Sequence, residues 1–255
     1  MSRIAIVTGA SRGIGRATAI RLARDFSAVV LVARSAALLA ETAEAVRAAG
    51  SEPFVLDLDL REPQAASIAV EKTLAKFGRI DAVVNIAGAV PQVDVLEMTD
   101  EQWDDGFALK LHGARRLAIR AWDALKASNG SVIFTSGNSA QAPKSGFAAV
   151  ATVNAAIVAM AKAFADRGVT DGVQVNSVLP GPVMTDRRRS YMEKYAPAHG
   201  MTVEEALEKF PEQVGITRYG KPEDIAELMA FVLSPGGRWI VGSTLRMDGG
   251  EIKAV

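Results

Sequence analysis

Residues 8–15 read TGASRGIG and join a short apolar run, residues 4–7, to a helical pattern. Three glycines at this spacing, after a strand and at the start of a helix, are typical of a turn that binds a pyrophosphate. Gly9 lets the chain turn, Gly13 lets the backbone approach the phosphates, and Gly15 lets the helix pack on the strand. The free N–H groups at the helix N-terminus then attract phosphate oxygens. The stretch therefore predicts a dinucleotide site.

Seven short apolar runs alternate with longer helical patterns along the chain. The runs cover residues 4–7, 28–32, 54–56, 81–85, 131–134, 173–176 and 244–247. Segments such as 16–24 and 36–49 carry apolar residues at helical spacing, and Gly50 stands where a helix C-cap is expected. The alternation predicts a Rossmann-type α/β fold, a doubly wound parallel sheet of about seven strands with helices on both faces. No linker or repeat interrupts it, so we expect one domain over residues 1–255.

Residues 187–219 form the least regular stretch of the sequence. It carries Pro197, Gly200, Pro211 and Gly215 around a helical patch at 203–210. Long insertions in such folds often cover ligands, so we expect a substrate lid here, although a plain surface excursion explains the pattern equally well. The arginine run at 187–189 is interpreted as a solvated surface.

The composition excludes several classes of protein. Lys plus Arg and Asp plus Glu both number 29, which favours neither nucleic acid nor an anionic membrane as partner. With no cysteine and two histidines, disulfides, thiolate chemistry and a metal site are not expected. The longest nearly apolar stretch, residues 148–161, falls short of the ~20 residues that span a bilayer. The N-terminal apolar run is too short for a signal peptide, so we expect a cytoplasmic protein.

The end of the second predicted strand bears on the choice of dinucleotide. An acidic residue there usually binds the free ribose 2′-hydroxyl of NAD(H). The strand instead ends in Arg34, which can pair with a 2′-phosphate, and Arg12 adds a second positive charge. The pattern favours NADP(H) over NAD(H). An ordinary exposed arginine is the alternative interpretation of Arg34.

Further motifs resemble the short-chain dehydrogenase/reductase family, most closely its 3-oxoacyl carrier-protein reductase-like branch. The matching segments are 8–15 (the family's TGxxxGxG), 59–60, 77–81, 85–88 (its NNAG, with Ile86 for the second Asn), 176–185, 218–226 and 248–250. Together they extend over essentially the whole chain. The resemblance implies adenine contacts at Asp59 and Leu60 and nicotinamide contacts after the sixth strand.

The glycine turn, the strand-end arginine and the resemblance together assign a set of cofactor-binding residues. They are Gly9, Ser11, Arg12, Gly13, Ile14, Gly15, Arg34, Asp59, Leu60, Asn85, Ala87, Gly88, Pro180, Gly181, Val183 and Thr185.

The family moves its proton with a Ser-Tyr-Lys-Asn set beside a hydride donor. Aligned without a gap, this sequence has Gly137 for Ser, Val150 for Tyr, Asn154 for Lys and Lys110 for Asn. Valine has no proton to give and glycine has no hydroxyl. The resemblance therefore implies that the usual proton path does not operate through these positions.

Lysine and asparagine have exchanged places at two of these positions. We hypothesise that Lys110 supplies the positive charge near the nicotinamide ribose; independent drift at a site no longer under catalytic demand is the alternative. Lys110, Ser136 and Ser139 are the candidate replacement proton donors, with Asn138, Lys144 and Tyr191 also in reach. Serines in such turns more often bond to nearby backbone.

Three functions remain open at this point. The first is an NADP(H)-dependent oxidoreductase that acts on an unknown carbonyl or alcohol by a non-standard proton path. The second is a catalytically inactive cofactor-binding homologue, either a partner subunit or a redox sensor. The third is a lyase or isomerase with a structural dinucleotide. The resemblance also implies a homo-oligomer, either a tetramer or a dimer, or a complex with an active relative.

Overall fold

The computed structural model describes residues 2–253 and contains a seven-stranded, fully parallel sheet in the order β3-β2-β1-β4-β5-β6-β7. The strands are β1 Ile4–Thr8, β2 Ala28–Ala33, β3 Glu52–Asp57, β4 Ala82–Asn85, β5 Ser131–Thr135, β6 Gln174–Pro180 and β7 Thr244–Met247. Each overlaps one of the seven predicted runs. The predicted fold class is confirmed.

Helices cover both faces of the sheet. They are α1 Gly13–Leu22, α2 Ala36–Ala48, α3 Ala65–Phe77, α4 Asp100–Gly106, α5 Ala114–Ser128, α6 Ala148–Asp171, α7 Asp186–Ala198, α8 Val203–Gln213 and α9 Pro222–Val232. Along β1, Ile4 and Ile6 join the core under α3, α5 and α6, whereas Ala5 and Val7 join the core under α1, α2 and α9. Burial on both sides explains why the strands are continuously apolar.

The order of the strands reverses beside β1. From β1 the chain builds outward through β2 to β3, and then returns to place β4 on the other side of β1. Helices on the two sides of this point diverge and leave a crevice at the carboxyl ends of the strands. The fold therefore directs the loops that follow β1, β4, β5 and β6 toward one place.

A π-helical segment, Phe107–Gly113, lies between α4 and α5 and makes one continuous helix of the three. Such a wider turn shifts the side chains out of ordinary helical register and is frequent at functional sites. Lys110 belongs to this segment. The sequence pattern does not predict it.

Residues 187–219 are more regular than expected, since α7 and α8 occupy most of the segment. Pro197 and Pro211 lie inside these helices rather than between them. Met192, Ala196, Ala206 and Phe210 form a small core of their own. The two ends of the excursion meet where Val183 pairs with Gly220. Its role as a lid remains a prediction.

Helix α6 is longer than the apolar stretch at its start. The helical residues 145–171 are long and apolar enough to cross a membrane by length and composition alone, which the shorter apolar stretch 148–161 did not predict. Val153, Ile157 and Ala161 of α6 are nevertheless buried in the core beneath the sheet. This packing is that of a core helix.

Replacing Gly15 by Ala tests the packing of α1 against the glycine turn. A Cβ on Gly15 would overlap the carbonyl oxygen of Gly9, so we expect Gly15→Ala to lower the free energy of unfolding by about 1–3 kcal/mol. Gly146→Ala is the control, because no atom lies within 4 Å of that Cβ position. Urea unfolding measures both. Equal stability of the two variants would contradict this account of the turn.

Candidate active site

A cavity of about 570 Å³ lies at the carboxyl ends of the central strands. Gly9 after β1, Ile86 after β4, Ser136 after β5 and Gly181 after β6 all line it. This is the crevice that the reversal of strand order creates.

The structure brings nearly all of the predicted cofactor residues to this cavity. Those that line it are Gly9, Ser11, Arg12, Gly13, Ile14, Gly15, Arg34, Asp59, Leu60, Ala87, Gly88, Pro180, Gly181, Val183 and Thr185. Asn85 does not. It is 4% exposed at the end of β4, and its amide has no hydrogen-bond partner among residues 2–253. Asn85 is outside the cavity lining because the last residue of the strand stays within the sheet, and its cofactor contact remains a prediction.

The glycine turn forms a cradle at one end of the cavity. Gly9 and Gly13 have φ of 67° and 53°, a conformation that side-chain-bearing residues rarely adopt. Helix α1 starts at Gly13, and no side chain of the described residues caps it. Its first N–H groups are therefore available to an anion. Thr135 also lines the cavity, and its hydroxyl is buried without a partner in the described chain. Both features fit a pyrophosphate-containing ligand.

Positive charge marks the ribose end of the cradle. Arg34 lines the cavity with 62% of its side chain exposed, and its Nη1 lies 3.8 Å from the Asp59 carboxylate. Arg12, in the glycine turn, is exposed and also lines the cavity. A loose, exposed ion pair leaves Arg34 available to a phosphate.

At the other end of the cavity stand the four residues aligned with the family's catalytic set. Lys110, Gly137, Val150 and Asn154 all line it. Lys110 Nζ donates to the carbonyl oxygen of Ser136 at 3.0 Å and to Oδ1 of Asn154. An ammonium has three donors, so one remains for another partner.

Burial, and to a smaller extent the charge of Arg187, lower the pKa of Lys110 to about 7. Removing an ammonium from water disfavours its charged form. Lys110 thus exchanges a proton near neutral pH, which an exposed lysine does not.

The exchanged residues fit together sterically. A Cβ on Gly137 would lie 2.6 Å from Nδ2 of Asn154, and a Cβ on Gly88 would lie 2.9 Å from Cδ of Lys110. The Asn154 amide therefore occupies the space beside position 137, and Lys110 lies against the bare backbone of Gly88. Asn154 is 3% exposed.

The two candidate serines differ in their availability. Ser136 is buried, and its hydroxyl donates its proton to the backbone carbonyl oxygen of Asn154 at 2.7 Å. That proton is therefore not available to a ligand. Ser139 accepts from Nδ2 of Asn154 at 2.8 Å and lines the cavity, so its own proton remains free to donate. Tyr191 also lines the cavity, whereas Lys144 is exposed outside the lining.

The arginine run at the start of α7 is not simply a solvated surface. Arg187 and Arg188 line the cavity, and only Arg189 conforms to the prediction, being exposed away from it. Arg187 donates to the carbonyl oxygens of Gly88 at 3.2 Å and Val90 at 2.8 Å. Arg187 follows Thr185, a predicted cofactor-binding residue, by two residues. This closeness in sequence is the signal from which its position at the cavity could have been predicted.

Among residues 2–253, no group of three or more histidine, cysteine, aspartate or glutamate residues is placed to hold a metal ion.

Comparison with known proteins agrees with this geometry. A family model described as enoyl-(acyl carrier protein) reductase matches residues 9–251. The short-chain reductase protein NovJ of Streptomyces niveus is 32% identical over 97% of this chain and 93% of its own length. The chain belongs to the short-chain dehydrogenase/reductase family. The resemblance drawn from its motifs is confirmed at this level.

Two further members of the short-chain dehydrogenase/reductase family are similar to this chain along nearly its whole length. The 3-oxoacyl-(acyl-carrier-protein) reductase FabG of Staphylococcus aureus is 27% identical over 98% of both chains. L-sorbose reductase from Gluconobacter frateurii, solved with NADPH and L-sorbose, has a TM-score of 0.94 and 27% identity over 100% of this chain and 98% of its own. The chain thus has the scaffold of the family's oxidoreductases.

A double-mutant cycle in this short-chain dehydrogenase/reductase tests the fit between Gly137 and Asn154. Gly137→Ser places a side chain against the Asn154 amide, so we expect it to lower the free energy of unfolding. Adding Asn154→Ala makes room, and we expect a favourable coupling of about 0.5–3 kcal/mol in urea unfolding. Gly146→Ser serves as a solvent-side control. Additive effects of the two substitutions would contradict the fit.

Proposed function

We propose that the protein is an NADP(H)-dependent oxidoreductase that interconverts a carbonyl and an alcohol, with Lys110 moving the proton. One observation carries the proposal: a lysine amine with a spare donor lines the cavity and has a pKa of about 7. A general acid–base group works best when its pKa lies near the working pH.

The residues at the cradle fit a dinucleotide, and Arg12 and Arg34 favour the one that bears a 2′-phosphate. When bound, the nicotinamide cofactor supplies or accepts the hydride. The solved complex of L-sorbose reductase with NADPH supports the same cofactor here. The assignment of the individual cofactor-binding residues is part of the proposal.

In the proposed reaction the family's tyrosine, lysine, serine and asparagine are all replaced. During reduction, the Lys110 ammonium gives its proton to the substrate oxygen; during oxidation, the neutral amine takes it back. Asn154 fixes the amine through Oδ1 and fixes Ser139 through Nδ2. The free proton of the Ser139 hydroxyl then orients the carbonyl oxygen.

The alternative is a cofactor-binding homologue without turnover. Val150, which has no proton to give, favours it. The mutual fit of Gly137, Asn154 and Lys110 argues against it, since residues that drift independently have no reason to form one hydrogen-bonded set. Purified protein that binds NADPH but oxidises it with no member of a panel of ketones, quinones and oxoacyl thioesters would support the alternative.

We also propose that residues 187–219 act as the lid and that the protein is a cytoplasmic homo-oligomer, a dimer or tetramer. Large apolar side chains on the surface support association into a homo-oligomer. Trp239 is 96% exposed, Val169 73% and Phe231 51%. Covering such side chains is a common reason for subunits to associate.

Replacing Arg34 tests the cofactor preference. Loss of a charge-assisted hydrogen bond to the 2′-phosphate predicts that Arg34→Ala weakens NADPH binding about 10- to 100-fold and leaves NADH binding unchanged. Isothermal titration calorimetry measures both. Arg24→Ala, at an exposed arginine outside the cavity, is the matched control. An equal loss of affinity for NADPH and NADH would remove Arg34 from the role.

Replacing Lys110 tests the proton path. We expect Lys110→Met to lower kcat about 10²–10⁴-fold, as loss of a general acid does. In the unsubstituted protein, kcat/KM for reduction should fall as the pH rises above about 7, and kcat/KM for oxidation should fall as the pH drops below about 7. Stopped-flow or steady-state absorbance of NADPH follows both.

Lys72→Met, at an exposed lysine on α3, is the control for Lys110→Met. Calorimetry with NADPH separates a lost proton donor from a lost cofactor site. If Lys110→Met keeps both full turnover and the pH profile, Lys110 is not the acid.

A further inference from the structure

Arg188 occupies an unusual position for an arginine. It lines the same cavity as Lys110 and is half-buried. Its guanidinium carbon lies 5.4 Å from the ring centre of Tyr191 and 5.1 Å from that of Phe210. These rings stabilise the cation but accept no ordinary hydrogen bond from it.

The guanidinium of Arg188 has no hydrogen-bond or ion-pair partner among residues 2–253. Its five N–H donors therefore have no partner within the described chain, and burial lowers its pKa. Arg187, by contrast, has already used donors on the carbonyls of Gly88 and Val90. An arginine side chain without a partner is stabilised when an anionic group of a bound ligand pairs with it.

The charge of Arg188 also reaches Tyr219, which lies outside the lining of the cavity. The hydroxyl of Tyr219 is buried and has no partner within the described chain. Its ring stacks on Phe210, with centres 5.9 Å apart, and Phe210 is the ring that Arg188 covers. Arg188 is close enough for its charge to offset part of the increase that burial causes in the pKa of Tyr219. The fork of N–H donors on Arg188 matches the oxygens of a carboxylate, and Arg188 is the member of this group that lines the cavity.

We propose that Arg188 binds a carboxylate of the substrate, so that the protein acts on oxo acids and the matching hydroxy acids. The inference rests on the proposed function, because it takes the cavity as the place where substrate meets cofactor. The apolar walls at Val150, Phe147 and Tyr191 then enclose the carbon chain between the carboxylate and the reacting carbon.

Glu251 is the one acidic group found near Arg188 in the described chain, and it competes with the substrate. Its carboxylate accepts from Nδ2 of Asn138 and lies beyond ion-pairing distance of Arg188. Burial raises the pKa of Glu251, while the charges of Arg188 and Lys144 oppose that rise. Removing this charge should strengthen the attraction of Arg188 for an incoming carboxylate.

The probes are levulinate and its longer-chain homologues, each compared with its neutral amide. Calorimetry on the protein saturated with NADP⁺ measures binding, and NADPH oxidation measures turnover. We expect at least one acid to bind 10-fold or more tightly than its amide. Arg188→Gln should weaken binding of that acid about 10- to 100-fold and leave the amide unchanged.

Several variants make the test specific. Arg189→Gln removes the neighbouring, exposed arginine and should change nothing. Arg188→Lys keeps the charge and should retain part of the affinity, which guards against a lid that simply fails to fold in Arg188→Gln. Glu251→Gln should increase the affinity for the acid.

Equal affinity for every acid and its amide, no acid binding at millimolar concentration, or equal effects of Arg188→Gln and Arg189→Gln would each overturn the inference. Its failure is distinct from that of the proposed function. Turnover of neutral ketones without any advantage for acids sinks the inference alone. Tight binding of an acid that is never reduced sinks the proposed reaction alone.

Discussion

The contact between α1 and the end of β1 sets the geometry of the whole cavity. Helix α1 approaches the strand this closely only because Gly15 has no side chain to meet the Gly9 carbonyl. That approach brings the helix N-terminus to the carboxyl edge of the sheet, where the loops after β4, β5 and β6 also end. A bulkier residue at this point would move the start of the helix and every ligand contact that depends on it.

Within that frame, the end of the cavity that holds Lys110 contains a connected set of polar side chains. Lys110, Asn154 and Ser139 form a hydrogen-bonded chain, and the absence of a side chain at position 137 makes room for its central amide. Lys110 belongs to the π-helical segment, whereas the resemblance to the family implies a lysine on α6. The charge stays in the cavity while its point of attachment changes.

The sequence predicts the sheet well because β-branched runs, glycine turns and cap residues are local signals that burial on both faces reinforces. It also predicts most of the cofactor cradle, which is continuous in sequence around Gly13. Other features depend on distant contacts. The π-helical segment changes spacing for only one turn, Asn85 remains in the sheet although its neighbours reach the cavity, and Arg187 enters the site through carbonyls about a hundred residues away. Helix α7 was not predicted because Pro197 suggests a break, yet Pro197 is the penultimate residue of that helix. Helix α8 agrees with the helical patch predicted at 203–210 and continues through Pro211 to Gln213.

The pairing of Val183 with Gly220 closes the excursion that contains α7 and α8 at its base, and the excursion has its own small apolar core. The residues between Val183 and Gly220 therefore form a separate unit, here called a cassette. Its length and composition can change while β6 and α9 stay in place. Exchange of this cassette between relatives would transplant one wall of the cavity without rebuilding the sheet, which gives the scaffold a simple route to new ligands.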